Sequence, residues 1–275
     1  MTEGGFVARH IDRWRHGRTV SVEDRVAEEV PVAMVYNGAS FAVMMATPCN
    51  LEDFAWGFSL SEGLIGQSED LLSIEIHSLL EGIEIRMKVA NHAHGAHLDQ
   101  QPGRILPGRS GCGICGTRQL EQAIRQPPAV GAGAQITHAA IESALVDLHE
   151  RQPMNAATGA VHAAAWADAD GQILLVREDV GRHNALDKLI GAMRRADADV
   201  GNGFALVTSR ASYEMVTKAT SAGISVLVAI SAPTALAIEL ARGAGLTLIG
   251  FARPGTHNIY THPHRLLPEP QQEQP

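Results

Sequence analysis

From residue 160 to residue 251 the sequence alternates between short apolar runs bounded by turn residues and longer stretches with helical spacing. The spacing predicts strands over 160–166, 173–177, 204–208, 224–230 and 246–251, and helices over 184–195, 212–222 and 233–242. Pro233 stands near a helix start, and Gly223 and Gly243 just past helix ends, the asymmetry of capped helices. A chain ordered this way has few options. Strand–helix–strand units join parallel strands and lay helices over their faces, so the expected fold is α/β, a mainly parallel sheet flanked by helices.

The segments before it follow other patterns. Residues 1–18 hold four arginines and two histidines without an apolar period and are expected to form a mobile arm. Two apolar runs then flank Asn37-Gly38, a pair suited to the positive φ angles of a tight hairpin turn. Asn50 is expected to cap a helix over 51–65, with Glu52 and Asp53 in its first turn. Runs at 74–77 and 83–89 alternate like a second hairpin around Glu81-Gly82. These elements make a smaller N-terminal α+β region over 19–105, followed by a Cys-x-x-Cys loop and linker over 106–133, the α/β core over 134–267 and a disordered tail over 268–275. The core opens with a helix from Thr137 that carries Ile141, Ala144, Leu145 and Leu148 on one face and is ended by Pro153.

A chain of 275 residues with 45% hydrophobic content can bury such a core. No run of about 18 apolar residues or more occurs, and the N-terminus lacks the basic and apolar regions of a signal peptide; the expected setting is the cytoplasm, with no membrane partner. The formal net charge of −8 disfavours a nucleic-acid partner, so a phosphate-bearing ligand would have to be held by local features. Three cysteines exclude a disulfide scaffold and direct attention to the two that are close together.

Those two lie in Gly108-Arg109-Ser110-Gly111-Cys112-Gly113-Ile114-Cys115-Gly116. The four glycines leave both sulfurs approachable. Three arginines and no carboxylate stand between Arg104 and Arg118, and Cys115 just precedes an expected helix; both features favour thiolate over thiol. A structural cysteine would sit in an apolar run instead. A zinc site generally needs four ligands and no second close Cys/His pair is present, so no metal is expected. A thioredoxin-like dithiol would follow an early strand, not a long irregular stretch. Cys49, beside Pro48, reads as a packing residue. His92, His94 and His97 keep neither helical nor strand phase and read as a solvated loop, and His162, among small apolar residues, as a hydrogen-bonded core histidine.

Charge gathers at three expected strand ends: Arg177-Glu178-Asp179-Val180-Gly181-Arg182-His183-Asn184, Thr208-Ser209-Arg210-Ala211-Ser212, and Phe251-Ala252-Arg253-Pro254-Gly255-Thr256. Open α/β sheets bind ligands at the carboxyl ends of their strands, and helix N-termini there suit anions. Arg182, Arg210 and Arg253 therefore point to one phosphate-rich pocket, to which His183 and Ser209 are assigned and in which Asp179 or a neighbouring acid would accept N–H groups of the ligand. Neither a Walker phosphate loop nor the dinucleotide glycine fingerprint is present, which disfavours ordinary triphosphate or NAD use.

The stretches VYNGASFAVMMATPCNLEDFAWGFSLSEG, GRSGCGICG, TGAVHAAAW, EDVGRHNALDKLIG, SRASYEMVTKA, ISAPTALAIELA and LTLIGFARPG, spread over 32–263, together resemble the formate dehydrogenase accessory sulfurtransferases (FdhD). The resemblance implies a homodimer with a cytidine-deaminase-like core. It implies a sulfur carrier that accepts sulfane sulfur as a persulfide from a cysteine desulfurase. The recipient it implies is the molybdenum bis(molybdopterin guanine dinucleotide) cofactor, before insertion into formate dehydrogenase. The persulfide position falls on Cys112, with Cys115 as its partner, expected to relay the outer sulfur or expel it as sulfide. The guanine-dinucleotide segment falls on Phe251, Ala252, Arg253, Pro254, Gly255 and Thr256, with Ala252 where some relatives carry another small residue. The rival reading is a chaperone that delivers the cofactor unchanged. Deamination is strongly disfavoured, because Gly111 and not proline precedes Cys112 and no His-x-Glu occurs.

Overall fold

The computed structural model describes residues 4–100 and 126–268. Strands β1 (Phe6–Arg15) and β2 (Arg18–Ala27) pair antiparallel along their whole length, Phe6 opposite Ala27 and Arg15 opposite Arg18. The arm expected over 1–18 is thus, from Phe6 on, part of a β-ribbon that turns at His16-Gly17, both at positive φ (48° and 82°). Its period of two was hidden because Val7 and Ile11 alternate with Arg9 and Arg13 on the same face.

Strands β3 (Val30–Tyr36) and β4 (Ala39–Ala46) form the expected hairpin, with Asn37 and Gly38 at φ 47° and 89°. With β5 (Leu71–Ser78) and β6 (Ile83–Val89) they make a sheet of order β4-β3-β6-β5, and α1 (Leu51–Ser61) packs on it. Asn50 does not cap α1 through its side chain; it turns the chain at φ 51°. The helix stops four residues earlier than expected because Gly63 takes φ 68°, after which Leu64 and Ile65 fold back into the core.

In the second half, β7 (Ile136–Thr137) leads into α2 (His138–Glu150), where the Thr137 hydroxyl accepts the Ala140 N–H at 3.0 Å. Pro153 begins a separate helix, α3 (Pro153–Thr158), in addition to following the end of α2. Strands β8 (His162–Asp168), β9 (Ile173–Asp179), β10 (Gly203–Val207), β11 (Val226–Ala229), β12 (Thr247–Arg253) and β13 (Thr256–Ile259) form a sheet of order β13-β12-β11-β10-β8-β9. This sheet is mixed, which corrects the mainly parallel expectation. Only β10–β11 and β11–β12 are parallel, while β8–β9, β8–β10 and β12–β13 are antiparallel. No helix separates β8 from β9, and a short turn at Gly171 can only reverse the chain.

Helices α4 (Arg182–Arg195), α5 (Tyr213–Ser221) and α6 (Ala235–Ala244) cover one face of this sheet over Ala164, Trp166, Ala205, Val207, Leu227 and Leu248. The C-cap glycine of α6 is Gly245, at φ 76°, and Gly243 lies inside the helix. Helix α2 covers the opposite face, over Ala163, Ala165, Phe204, Leu206 and Val228. A short parallel pairing of β14 (Leu266–Leu267) with β7 returns the C-terminal end to α2.

Helix α4 is buried almost all round because α1 crosses it on the side away from the sheet. The crossing is close enough to require glycine on both helices. A Cβ on Gly57 would sit 1.6 Å from the Asp187 carbonyl oxygen, and one on Gly191 would sit 1.8 Å from that of Asp53. Replacing Gly191 with Ala is expected to force the helices apart and cost about 1–3 kcal/mol, read as a lower urea midpoint.

Candidate functional site

Because β8 runs opposite to its neighbours, its first residue, His162, lies at the same sheet edge as the last residues of β9, β10, β11 and β12. The N-cap residues of α4, α5 and α6, namely Gly181, Ser212 and Thr234, follow three of those strand ends. The edge therefore collects the three charged segments noted in the sequence. It also aligns three helix N-termini, whose unpaired N–H groups favour negative charge.

Among the assigned residues, Arg210, Phe251, Arg253, Pro254, Gly255 and Thr256 are exposed and Arg182 is partly so. The Arg182 Nε is buried without a hydrogen-bond partner, as is the hydroxyl of Ser212, which caps no N–H of α5. Such orphans suit a ligand at these helix starts. His183 is buried, its Nε2 2.9 Å from Glu214 Oε2 but outside hydrogen-bonding alignment. Ser209 is buried and its hydroxyl donates to the Arg210 carbonyl at 3.0 Å. Ala252 turns its side chain into the core, so only its backbone can line a pocket. Phe251 has φ 52° at a bulge in β12 and is 45% exposed. Holding a non-glycine residue there costs about 1–3 kcal/mol, and the bend turns an aromatic ring outward at the edge.

Asp179 does not fit the role of an acceptor for a base. It is fully buried, and both its oxygens are taken: Oδ2 by the Thr47 N–H at 3.0 Å and Lys188 Nζ at 2.6 Å, Oδ1 by the Gly181 N–H at 2.8 Å and Asn184 Nδ2 at 3.0 Å. It locks the start of α4 to the end of β4.

His162 is the residue that sequence reading placed in the core and the structure places at the edge. It is half-buried, and its pKa is lowered, first by burial and then by Arg182 and His183. Its signal in the sequence was its position opposite Asp179, visible only once β8 and β9 are known to pair. The turn after β12 is fixed from the other side: the Gly255 N–H donates to Glu142 Oε1 at 2.8 Å, and His257 stacks on His138 with facing ring nitrogens 2.8 Å apart.

Cys49 lines a cleft of about 800 Å³ between the ribbon base, α1 and β9, with its sulfur 4.0 Å from Lys188 Nζ. Burial raises its thiol pKa, with Lys188 acting in the opposite direction, so it is not an activated nucleophile. His92 is paired to Asp70 at 2.7 Å. Cys112 and Cys115 lie outside the described residues. Among the described residues no group of three or more His, Cys, Asp or Glu side chains is arranged to hold a metal ion, and no helix is long and apolar enough to cross a membrane.

Fold and edge together define a two-part α/β protein with an anion-suited edge on a mixed sheet. The FdhD/NarQ family profile matches residues 27–267. Sulfur carrier proteins FdhD of Xanthomonas euvesicatoria and Cupriavidus necator are 58% and 53% identical to it, over 95% and 94% of this chain and 92% and 89% of theirs. The crystal structure of a putative formate dehydrogenase accessory protein from Desulfotalea psychrophila superposes with a TM-score of 0.73 at 25% identity, over 95% of this chain and 99% of that one. The chain belongs to the FdhD/NarQ family.

Proposed function

We propose that this protein carries sulfur, as the names of its relatives describe, that it does so in formate dehydrogenase maturation, and that it works in the cytoplasm as a persulfide sulfurtransferase. In this reading the Cys112 thiolate attacks the terminal sulfur of a cysteine desulfurase persulfide. The sulfur–sulfur bond of the donor breaks, and the donor cysteine leaves as thiolate with the bonding pair. Attack by Cys115 on the terminal sulfur relays it. Attack on the inner sulfur closes a Cys112–Cys115 disulfide and releases sulfide, after which an external thiol must reduce the disulfide.

The recipient, molybdenum bis(molybdopterin guanine dinucleotide), is cargo and not a resident cofactor. The observation that supports its place at the sheet edge is the pair of orphaned polar atoms, Arg182 Nε and Ser212 Oγ, at two helix N-termini. From β9 to β12 is four strand spacings, roughly 19 Å, which suits an extended nucleotide-bearing ligand. Arg182, Arg210 and Arg253 would hold phosphates, with His183 and Ser209 beside them, and the outward ring of Phe251 would stack on guanine. The deaminase-like topology fits a sheet in which β8 precedes β9 and then borders β10, without the deaminase ligands.

Guanosine diphosphate tests the edge without the intact cofactor. Arg253→Ala is expected to weaken its binding about 5- to 10-fold by calorimetry, a discount on the usual charge-assisted bond because Arg253 is exposed. Unchanged affinity would remove Arg253 from the site.

A further inference from the structure

Of the four buried side-chain nitrogen and oxygen atoms that lack a hydrogen-bond partner among the described residues, three stand at the starts of α4 and α5: Arg182 Nε, His183 Nε2 and Ser212 Oγ. His183 is 4% exposed, and Glu214 lies 2.9 Å from it without the alignment of a hydrogen bond. Arg182 forms no ion pair with a described residue. An orphan polar atom in the interior is costly, and three in one place suit a ligand that accepts from all of them.

His162 meets this cluster from β8. Its register partner across the sheet is Asp179, whose oxygens are already taken by Thr47, Lys188, Gly181 and Asn184. The imidazole therefore has no hydrogen-bond partner among the described residues. The charged groups that act on it are Arg182 and His183 from α4 and Asp179 from β9. Burial first, and then Arg182 and His183, lower its pKa, and Asp179 opposes them as the smallest of these effects. A ring so placed has cationic neighbours and no acid free to pair with it.

We infer that His162 is the proton-coupled member of the anion site: it is neutral on its own and takes up a proton from solvent when a phosphate-class dianion settles against Arg182, His183 and Ser212. An anion there offsets the two cationic neighbours, so charge on the ring becomes favourable, and the nitrogen that gains the proton can donate to an anion oxygen. By linkage the anion binds more tightly as pH falls through the imidazole range. From Phe251 on β12 to His162 on β8 is three strand spacings, roughly 14 Å, which makes this the phosphate end of the edge and not its aromatic end. The inference rests on reading the edge as an anion site and is independent of the sulfur chemistry.

Sulfate, a dianion with no proton to lose near neutral pH, is the probe. In histidine-labelled full-length protein, the His162 ring resonance is identified by its loss in His162→Gln, and its proton affinity is expected to rise about tenfold at saturating sulfate. Reciprocally, sulfate should bind about tenfold more tightly at about pH 5.5 than at about pH 8.5. His162→Gln should match wild type at the higher pH, which a misfolded variant would not do, and lose the gain at the lower one. A His162 titration that sulfate leaves unmoved, or a gain in affinity that persists in His162→Gln, overturns the inference. Guanosine diphosphate separates it from the nucleotide reading. Sulfate linkage without nucleotide binding keeps the proton-coupled site and removes the nucleotide, whereas nucleotide binding that depends on Arg253 while His162 stays unresponsive removes the coupling.

Discussion

Replacing Lys188 with Met is expected to cost about 3–5 kcal/mol of folding stability, because it leaves a carboxylate in the interior without its counter-ion. Lys188 and Asp179 are both fully buried with Nζ and Oδ2 2.6 Å apart, and Lys188 also donates to the Thr47 carbonyl at 2.9 Å. Asp179 in turn accepts the Thr47 N–H, so the pair clamps the end of β4, in the N-terminal region, onto the start of α4 in the core. A second buried cluster repeats the device farther along α4. There Asp187 accepts from Ser61 of α1 at 2.6 Å and from Lys218 of α5 at 2.9 Å. Burial pushes the Asp187 pKa up; for Lys218, burial acts downward, but Asp187 and Glu62 outweigh it and the pKa is raised. The direction for Lys188→Met is checked by urea denaturation alongside the double variant Asp179→Asn/Lys188→Met. The double variant should recover part of the loss, since no uncompensated charge remains. A single-variant cost below about 1 kcal/mol would mean that water reaches the pair and that it does not join the two regions.

These clamps mark where the sequence was legible and where it was not. Strong local signals were read correctly: Asn37-Gly38 demands positive φ, and the strands and helices from residue 204 onward follow their periods. The charged run from Arg177 to Asn184 was read as ligand-facing, but its members divide. Glu178 accepts the N–H groups of Met154 and Asn155 at the start of α3, Asp179 is buried beneath α4, and Arg182 faces the edge. Residues one position apart at a strand end point to opposite sides, and which side is solvent depends on neighbours 130 residues away, such as Thr47, 132 residues before Asp179. Strand direction was misread for a similar reason: periodicity reports that β8 and β9 are strands and is silent on how they pair. The ribbon was missed because its apolar residues share a face with arginines, which breaks the apolar–polar alternation that marks a strand.

Replacing Cys112 with Ser is expected to abolish sulfur acceptance and formate dehydrogenase maturation while leaving folding intact. Cys112 stands between Gly111 and Gly113, so it has no apolar neighbours in sequence to pack with, and a hydroxyl in place of a thiol changes little in volume. Arg104, Arg109 and Arg118, unopposed by carboxylates in the same stretch, favour the thiolate, which is the form that attacks a persulfide near neutral pH. Serine offers no comparable nucleophile, because its hydroxyl stays protonated there. Cys49 cannot replace it, since burial raises its pKa. Cys115→Ser is expected to keep sulfur acceptance, because the first transfer needs only one thiolate, and to lose part of the maturation if relay or sulfide release follows. Mass spectrometry after incubation with a desulfurase and cysteine separates these outcomes: wild type and Cys115→Ser should each gain one sulfur atom, and Cys112→Ser none. If Cys112→Ser still gains the sulfur and still matures the enzyme, the carrier is Cys115. If no form of the protein gains sulfur, the cofactor is delivered unchanged and the chaperone reading replaces the carrier.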